Sequence, residues 1–317
     1  MNEFEIIDNL KKIINNPVSL NLSDDVFFDK KKSLVASIDT YNENVHFPNF
    51  SKQDLIIKKI IRSSISDIIS KGVDPKFLLI SMSVSKKYLN KKKLKLILKS
   101  IKLEQKKFKF SLVGGDTTFS RKLAFTICVF GYHKSIIKRS TCLKNDDIYI
   151  TGNIGDSSVG LSFLKNKINS SKKFERYFVD KYFKPDLAFG FHRDLFKFAN
   201  SSMDISDGLL IDLKKIVEQK KLKFILEYDL LPNSNYFHKL NMQKKILKKN
   251  HLFNGDDYQI VFTANKNKRK LIDITSKKWN QKVTRIGTIV NTNANYIRIN
   301  NKLKKIKDYQ GYIHNFI

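Results

Sequence analysis

Six short acidic clusters constrain this chain more than any other feature, because each stands among small or apolar residues instead of in a charged run. They are Ser23-Asp24-Asp25-Val26-Phe27, Ser37-Ile38-Asp39-Thr40, Ile65-Ser66-Asp67-Ile68, Gly114-Gly115-Asp116-Thr117-Thr118, Asp204-Ile205-Ser206-Asp207-Gly208-Leu209 and Asn254-Gly255-Asp256-Asp257-Tyr258. A carboxylate at the end of a hydrophobic segment is poorly solvated, and several that converge repel one another. A fold that brings them together needs divalent cations to supply the missing positive charge. Mg²⁺ held by aspartates is a common way for proteins to handle phosphates, so the pattern points to phosphoryl transfer.

The remaining composition is compatible with that reading. At 317 residues, 41% of them hydrophobic, the chain can bury a full core and divide into two domains. The longest apolar fragments, such as residues 123–131, are too short to span a bilayer, and the early Glu3, Glu5 and Asp8 do not suit a secretory signal. Cys128 and Cys142 give neither a disulfide framework nor a zinc spacing, so they read as core thiols of a cytoplasmic protein. The net charge of +30 could mark a nucleic-acid binder. Its lysines, however, are spread over the whole chain and alternate with Ile, Leu and Asn, as solvated helix faces do. No membrane contact and no dedicated nucleic-acid binding are expected.

Apolar positions Phe4, Ile7, Leu10 and Ile14 predict a helix over 3–15. A strand over 34–38 ends in Asp39, and an amphipathic helix over 54–70 is stopped by Gly72 and Asp74-Pro75. Strand 77–84, a lysine-rich helix through Leu94 and Ile101, strand 110–113 running into Gly114-Gly115-Asp116, and strand 123–132 complete the first half. Residues 139–145 read as a connector. The second half predicts strand 148–151, a helix opened by Gly155-Asp156, helices over 185–200 and 204–219, strands 222–228 and 259–263, helix 267–278, and strands 283–290 and 296–299. Alternating strands and helices predict an α/β or α+β fold in two domains, residues 1–138 and 139–317.

Taken singly, the motifs have plain alternatives. No P-loop, Gly-x-Gly-x-x-Gly or protein-kinase signature is present. Gly114-Gly115-Asp116 could bring backbone amides and a metal-binding carboxylate to a ligand, or form a tight turn capped by aspartate. Ser206 or Asp207 could serve as an ordinary helix N-cap. Asp67 sits in an apolar helix and needs a partner. Asp24-Asp25 and Asp39 flank a short hairpin, and turn chemistry accounts for Asp24-Asp25 equally well. Asp146-Asp147 reads as a turn, and His46 as a surface or packing histidine.

In their order along the chain these motifs resemble the thiamine-monophosphate kinase family, within the superfamily of the aminoimidazole-ribonucleotide-synthetase (PurM-like) fold. The resemblance runs almost end to end. It also takes in His46-Phe47, Gly72-Val73-Asp74-Pro75, Arg139-Ser140, Thr151-Gly152, Gly155-Asp156-Ser157-Ser158, Ile286-Gly287 and Gly311-Tyr312…Phe316. It implies a two-domain fold in which an N-terminal mixed sheet with helices pairs in a homodimer and a C-terminal α/β domain completes the site. It implies transfer from ATP to thiamine monophosphate with several Mg²⁺ ions, and leaves a role for K⁺ open. Metal ligands would be Asp25, Ser37, Asp39, Asp67, Asp116, Asp204 and Asp207. ATP would meet Gly115, Asp116, Arg139 and Ser206, with Asp116, Arg139 and Asp207 as the catalytic group, and thiamine phosphate would meet His46, Asp256 and Tyr312.

Three positions depart from the family pattern. Ile38 replaces a threonine, so only its carbonyl could meet a metal. Asp256 replaces a glutamate and is one methylene shorter. Asn21-Leu22-Ser23 replaces Gly-x-Gly before Asp24, which predicts a reshaped entry turn. Other superfamily enzymes are rival readings; for selenide water dikinase, the absence of any cysteine before Cys128 argues against it.

Overall fold

The first half folds around one helix. The structure, a computed structural model, describes residues 3–307, Tyr309, Gly311, Tyr312 and His314; Phe316 and the side chain of Phe4 lie outside the described residues. After α1 (Glu3–Lys11), strands β1 (Phe27–Asp29) and β2 (Leu34–Asn42) form a hairpin. Then come α2 (Gln53–Ser70), β3 (Pro75–Val84), α3 (Lys91–Phe108), β4 (Ser111–Phe119) and β5 (Ala124–Tyr132). The sheet order is β1-β2-β5-β3-β4, antiparallel except for the parallel β3–β4 pair at one edge. Ile56, Ile60, Ile61, Ile65, Ile68 and Ile69 of α2 are fully buried. At about 1.5–3 kcal/mol each, their burial contributes on the order of 10 kcal/mol.

The second half holds β6 (Asp147–Thr151), α4 (Asp156–Leu164), α5 (Lys172–Phe183), β7 (Ala199–Asp204), α6 (Leu209–Glu218) and β8 (Lys223–Glu227). It continues through α7 (Asn235–Met242), β9 (Ile260–Ala264), α8 (Arg269–Lys278), β10 (Val283–Val290), β11 (Tyr296–Ile299) and β12 (Lys302–Lys305). Its mixed sheet has the order β12-β11-β8-β10-β6-β9-β7. One core lies under α6, built from Leu209, Leu213, Ile216, Phe224 and Val261. The other is continuous from Val35 and the α2 isoleucines to Phe178, Phe191 and Phe262. Helix α2 therefore packs against the first sheet on one side and against β7 and α5 on the other. That is why even Lys59, Ser63 and Ser66 on it are buried.

Several local expectations are corrected. Gly114-Gly115-Asp116 is not a loop: β4 runs through it, with Gly115 opposite Ile80 and Asp116 opposite Ser81. The approach is so close that a Cβ at Gly115 would lie 1.9 Å from the Ile80 carbonyl oxygen. Asp39 lies inside β2 instead of ending it. The helix expected over 185–200 is a 3₁₀ segment, Phe191–Lys197, preceded by Gly190 at φ +96°. The regular helix there is the earlier α5, whose Phe174, Phe178 and Tyr182 recur at helical spacing. The predicted helix over 204–219 begins only at Leu209, because residues up to Asp204 belong to β7. Asp147 is part of β6 and pairs with Arg269 (2.6 Å) and Arg285 (3.3 Å). The turn before Asp24 runs through Leu20, Asn21 and Leu22, all at positive φ.

Candidate active site

A cleft of about 640 Å³ opens between the halves, and Asp39, Asp67, Asp204, Ser206, Asp207, His46, Asp256 and Tyr312 line it. Each arrives by a different route. Alternation along β2 turns Ser37, Asp39 and Tyr41 toward α2, on the same face as the buried Val35. Helical spacing puts Lys59, Ser63 and Asp67 in line along one face of α2. Asp204 ends β7, beside Ser66, whose hydroxyl donates to its Oδ2.

These carboxylates, Asp204 buried and Asp39 and Asp67 half-buried, are electrostatically starved. Burial lifts Asp39 to about 6, against hydrogen bonds from Tyr41 and Ser64. Burial, then the charge of Asp25, lifts Asp204 to about 7. Burial lifts Asp67 well above the carboxylate range, with further push from Asp39, Asp204 and Asp25. Among the described residues none of the three has a lysine or arginine ion pair. Asp207 differs, pairing with Lys215 at 2.6 Å, while Asp212 accepts the backbone N–H groups of Asp207 (3.2 Å) and Gly208 (3.1 Å).

The opposite end of the cleft is neutral or paired. The Asp256 carboxylate lies 2.7 Å from the Lys59 ammonium and accepts the Tyr258 hydroxyl at 3.0 Å. Lys59 also stands 3.9 Å over the Tyr182 ring. The loop carrying Asp256 is fixed against the Ser206 loop: Asp256 N–H donates to the Ser206 carbonyl at 2.8 Å, and a Cβ at Gly255 would lie 1.9 Å from that same oxygen. His46 Nδ1 accepts the Asn42 N–H at 2.9 Å, which leaves Nε2 as the donor of a neutral imidazole. Burial, then the nearby His314, lowers its pKa. Tyr312 N–H donates to the Asp207 carbonyl at 2.9 Å.

Beside the acidic end, Asp25 meets Arg139 Nη1 at 2.7 Å and Lys71 Nζ at 2.8 Å. Burial alone would raise Asp25, but Lys71, Arg139 and Lys215 outweigh it and hold the carboxyl far below its usual range. Arg139 Nε is buried and has no hydrogen-bond partner. Ser37 is buried beneath the cleft and donates to the Ser64 carbonyl at 3.4 Å.

Gly115 and Asp116 are not brought to this cleft. All nine residues of β4 are exposed. Asp116 shares a row with Ser81, Thr126 and Thr40 on the sheet face opposite to that of Asp39. Three strand spacings separate it from β2, roughly 14 Å. Sequence reasoning missed Lys59, Lys71, Asp212 and Lys215. None of the four stands out locally: Lys59, for example, shares its helix with Lys58 and Arg62.

The donors here are all hard oxygens, which suits Mg²⁺. Among the described residues no group of three or more His, Cys, Asp or Glu is arranged to hold a metal ion. This is compatible with Mg²⁺, which keeps waters and takes one or two carboxylates plus substrate phosphates in preference to an all-protein cage. No helix is long and apolar enough to cross a membrane among the described residues.

Residues 23–133 match the family model described as AIR synthase related protein, N-terminal domain. The chain is 32% identical to the thiamine-monophosphate kinase of Buchnera aphidicola subsp. Schizaphis graminum, over 99% of this chain and 98% of that one. It is 29% identical to that of Bacillus subtilis, over 99% of each. A solved structure described as AaThiL complexed with AMPPCP and TMP superposes with a TM-score of 0.86 at 27% identity, covering 99% of this chain and 97% of that one.

Proposed function

We propose a residue-level reading of the cleft from one premise: the chain belongs to the thiamine-monophosphate kinase family. It transfers the γ-phosphoryl group of ATP to thiamine monophosphate, giving thiamine diphosphate, the last step in making that cofactor. The observation that carries this reading is the polarity of the cleft. Three carboxylates without a lysine or arginine ion pair, Asp204 buried and Asp39 and Asp67 half-buried, stand at one end, and a neutral histidine with a paired aspartate stands at the other.

In this reading Asp39, Asp67, Asp204 and Asp207 hold several Mg²⁺ ions, with Asp25 and Ser37 at the edge of the group. Held by these residues, Mg²⁺ would supply the positive charge that offsets the phosphates. Arg139, already aligned by Asp25 and with Nε unused, adds charge on the transferring group. Ser206 presents its hydroxyl to the nucleotide. At the other end, His46 Nε2–H donates to the acceptor phosphate, while Asp256 and Tyr312 orient the thiamine moiety. No general base is needed, because an anionic phosphate oxygen is already a competent nucleophile at neutral pH. Transfer is direct and in line, and its rate comes from alignment and charge neutralisation.

Asp116 and Gly115 take part in a dimer. The outer face of the first sheet exposes Ile38, Phe77 and Leu79, and its edge exposes Val113 and Phe119. Joining two such faces would close the open sheets and deliver Gly115 and Asp116 to nucleotide held between copies. The same reading divides the chain near residue 139 and places it in the cytoplasm, where ATP is supplied. The test is production of thiamine diphosphate from ATP and thiamine monophosphate by the purified protein, followed by HPLC. Asp116→Asn should abolish turnover without loss of fold. Near-normal turnover in that variant, or no product from the unaltered protein, overturns the reading.

A further inference from the structure

We infer that Lys71 is a built-in counter-cation of the acidic cluster, a positioning residue that takes the place of a metal charge at Asp24 and Asp25. It follows the last residue of α2 and is completely buried. Its ammonium lies 2.7 Å from Asp24 Oδ1, 2.8 Å from Asp25 Oδ2 and 3.1 Å from the Ser202 carbonyl oxygen. Three acceptors meet three N–H donors, so the group is fully satisfied. The other oxygens of the two aspartates go to Arg139: Asp24 Oδ2 accepts its backbone N–H at 3.0 Å, and Asp25 Oδ1 its guanidinium at 2.7 Å.

Two carboxylates and two fixed cations make this corner neutral within the protein. A few residues away, Asp39, Asp67 and Asp204 have no such cations. The cluster is thus divided into a half neutralised by side chains and a half left for divalent ions. Lys71 also ties three parts of the chain at one point: the segment before β1, the end of α2, and β7 of the second sheet. Removing the ammonium leaves the buried Asp24 carboxylate without a cation and half-buried Asp25 with Arg139 alone, so that Asp24 Oδ1 and Asp25 Oδ2 form a pair that a divalent ion would fill.

The inference rests on reading the cluster as a magnesium site, and the experiment separates the two. Mn²⁺ binding is counted by EPR on the full-length protein, with and without AMPPCP, for the unaltered chain, Lys71→Met, Lys71→Arg and Lys71→Met/Asp24→Asn. Lys71→Met should bind about one more Mn²⁺ per chain and be stabilised against heat by Mn²⁺ more than the unaltered protein is. Lys71→Arg should restore the original count. The double variant, which removes one charge of each sign, should fold and also bind the original number. If Lys71→Met folds only with Mn²⁺ present, that supports the inference equally. An unchanged count in Lys71→Met, or a double variant that fails to fold, overturns it. No Mn²⁺ on any form, with nucleotide present, overturns the magnesium reading and this inference with it.

Discussion

Removing Asp256 and removing Lys59 should not cost the same, although they are the two halves of one ion pair. Lys59 is 1% exposed and Asp256 29%, at 2.7 Å. Asp256→Ala strands an ammonium that water cannot reach. Breaking a buried pair this way costs about 3–5 kcal/mol. The Tyr182 and Tyr258 rings, at 3.9 and 5.6 Å, remain and offset about 0.5–2 kcal/mol. A net loss of about 2–4 kcal/mol is expected. Lys59→Met keeps the stem, and the carboxylate left behind retains the Tyr258 hydroxyl and can hydrate, so about 1–2 kcal/mol is expected. The double variant strands nothing and should cost little more than Lys59→Met, giving a coupling of about 2–4 kcal/mol. Urea unfolding of the four proteins near neutral pH measures all terms. Lys59→Met as costly as Asp256→Ala, or a coupling below about 0.5 kcal/mol, would refute the asymmetry.

Asp204→Asn should stabilise the metal-free protein above neutral pH, by about 1–3 kcal/mol, because a buried repelling charge is removed, while turnover falls at least about 100-fold; thermal unfolding and the product assay check the two halves. Asp39 and Asp204 are raised in the folded state to about 6 and about 7 from 3.8. The folded protein therefore holds more protons than the unfolded chain between these limits, and their contribution to stability, intact below about 4, is lost as pH rises to about 7. Urea titrations across that range without metal should show the decline, and a flat profile would exclude it. Gly255→Ala should lose about 2 kcal/mol or more of stability and most activity, since its Cβ would lie 1.9 Å from the Ser206 carbonyl oxygen.

Much of this was legible in the sequence because the periodicities are strong. The isoleucines of α2 announce a helix, and strands 283–290 and 296–299 match the observed β10 and β11. Asp39, Asp67, Asp204 and Asp207 could be named because each interrupts an apolar segment. What was not legible is tertiary. Nothing local distinguishes Lys59 or Lys71 from dozens of solvated lysines; only the second sheet closing over α2 buries them. Likewise Gly114-Gly115 reads as a turn until a neighbouring strand is there to hydrogen-bond it. The separation of Asp116 from Asp39 follows from strand order and pleat, which no single segment contains.

The burial of α2 on both sides also sets a schedule for synthesis. When residue 132 emerges, the first sheet is complete in sequence, yet the helix face bearing Lys59, Ser63 and Ser66 has nothing to cover it. Its partners extend to Phe262, about 130 residues later. At roughly 5–20 residues per second the nascent chain carries that uncovered face for on the order of 10 s. During that interval it is exposed to proteases and chaperones, and only the completed protein withdraws it.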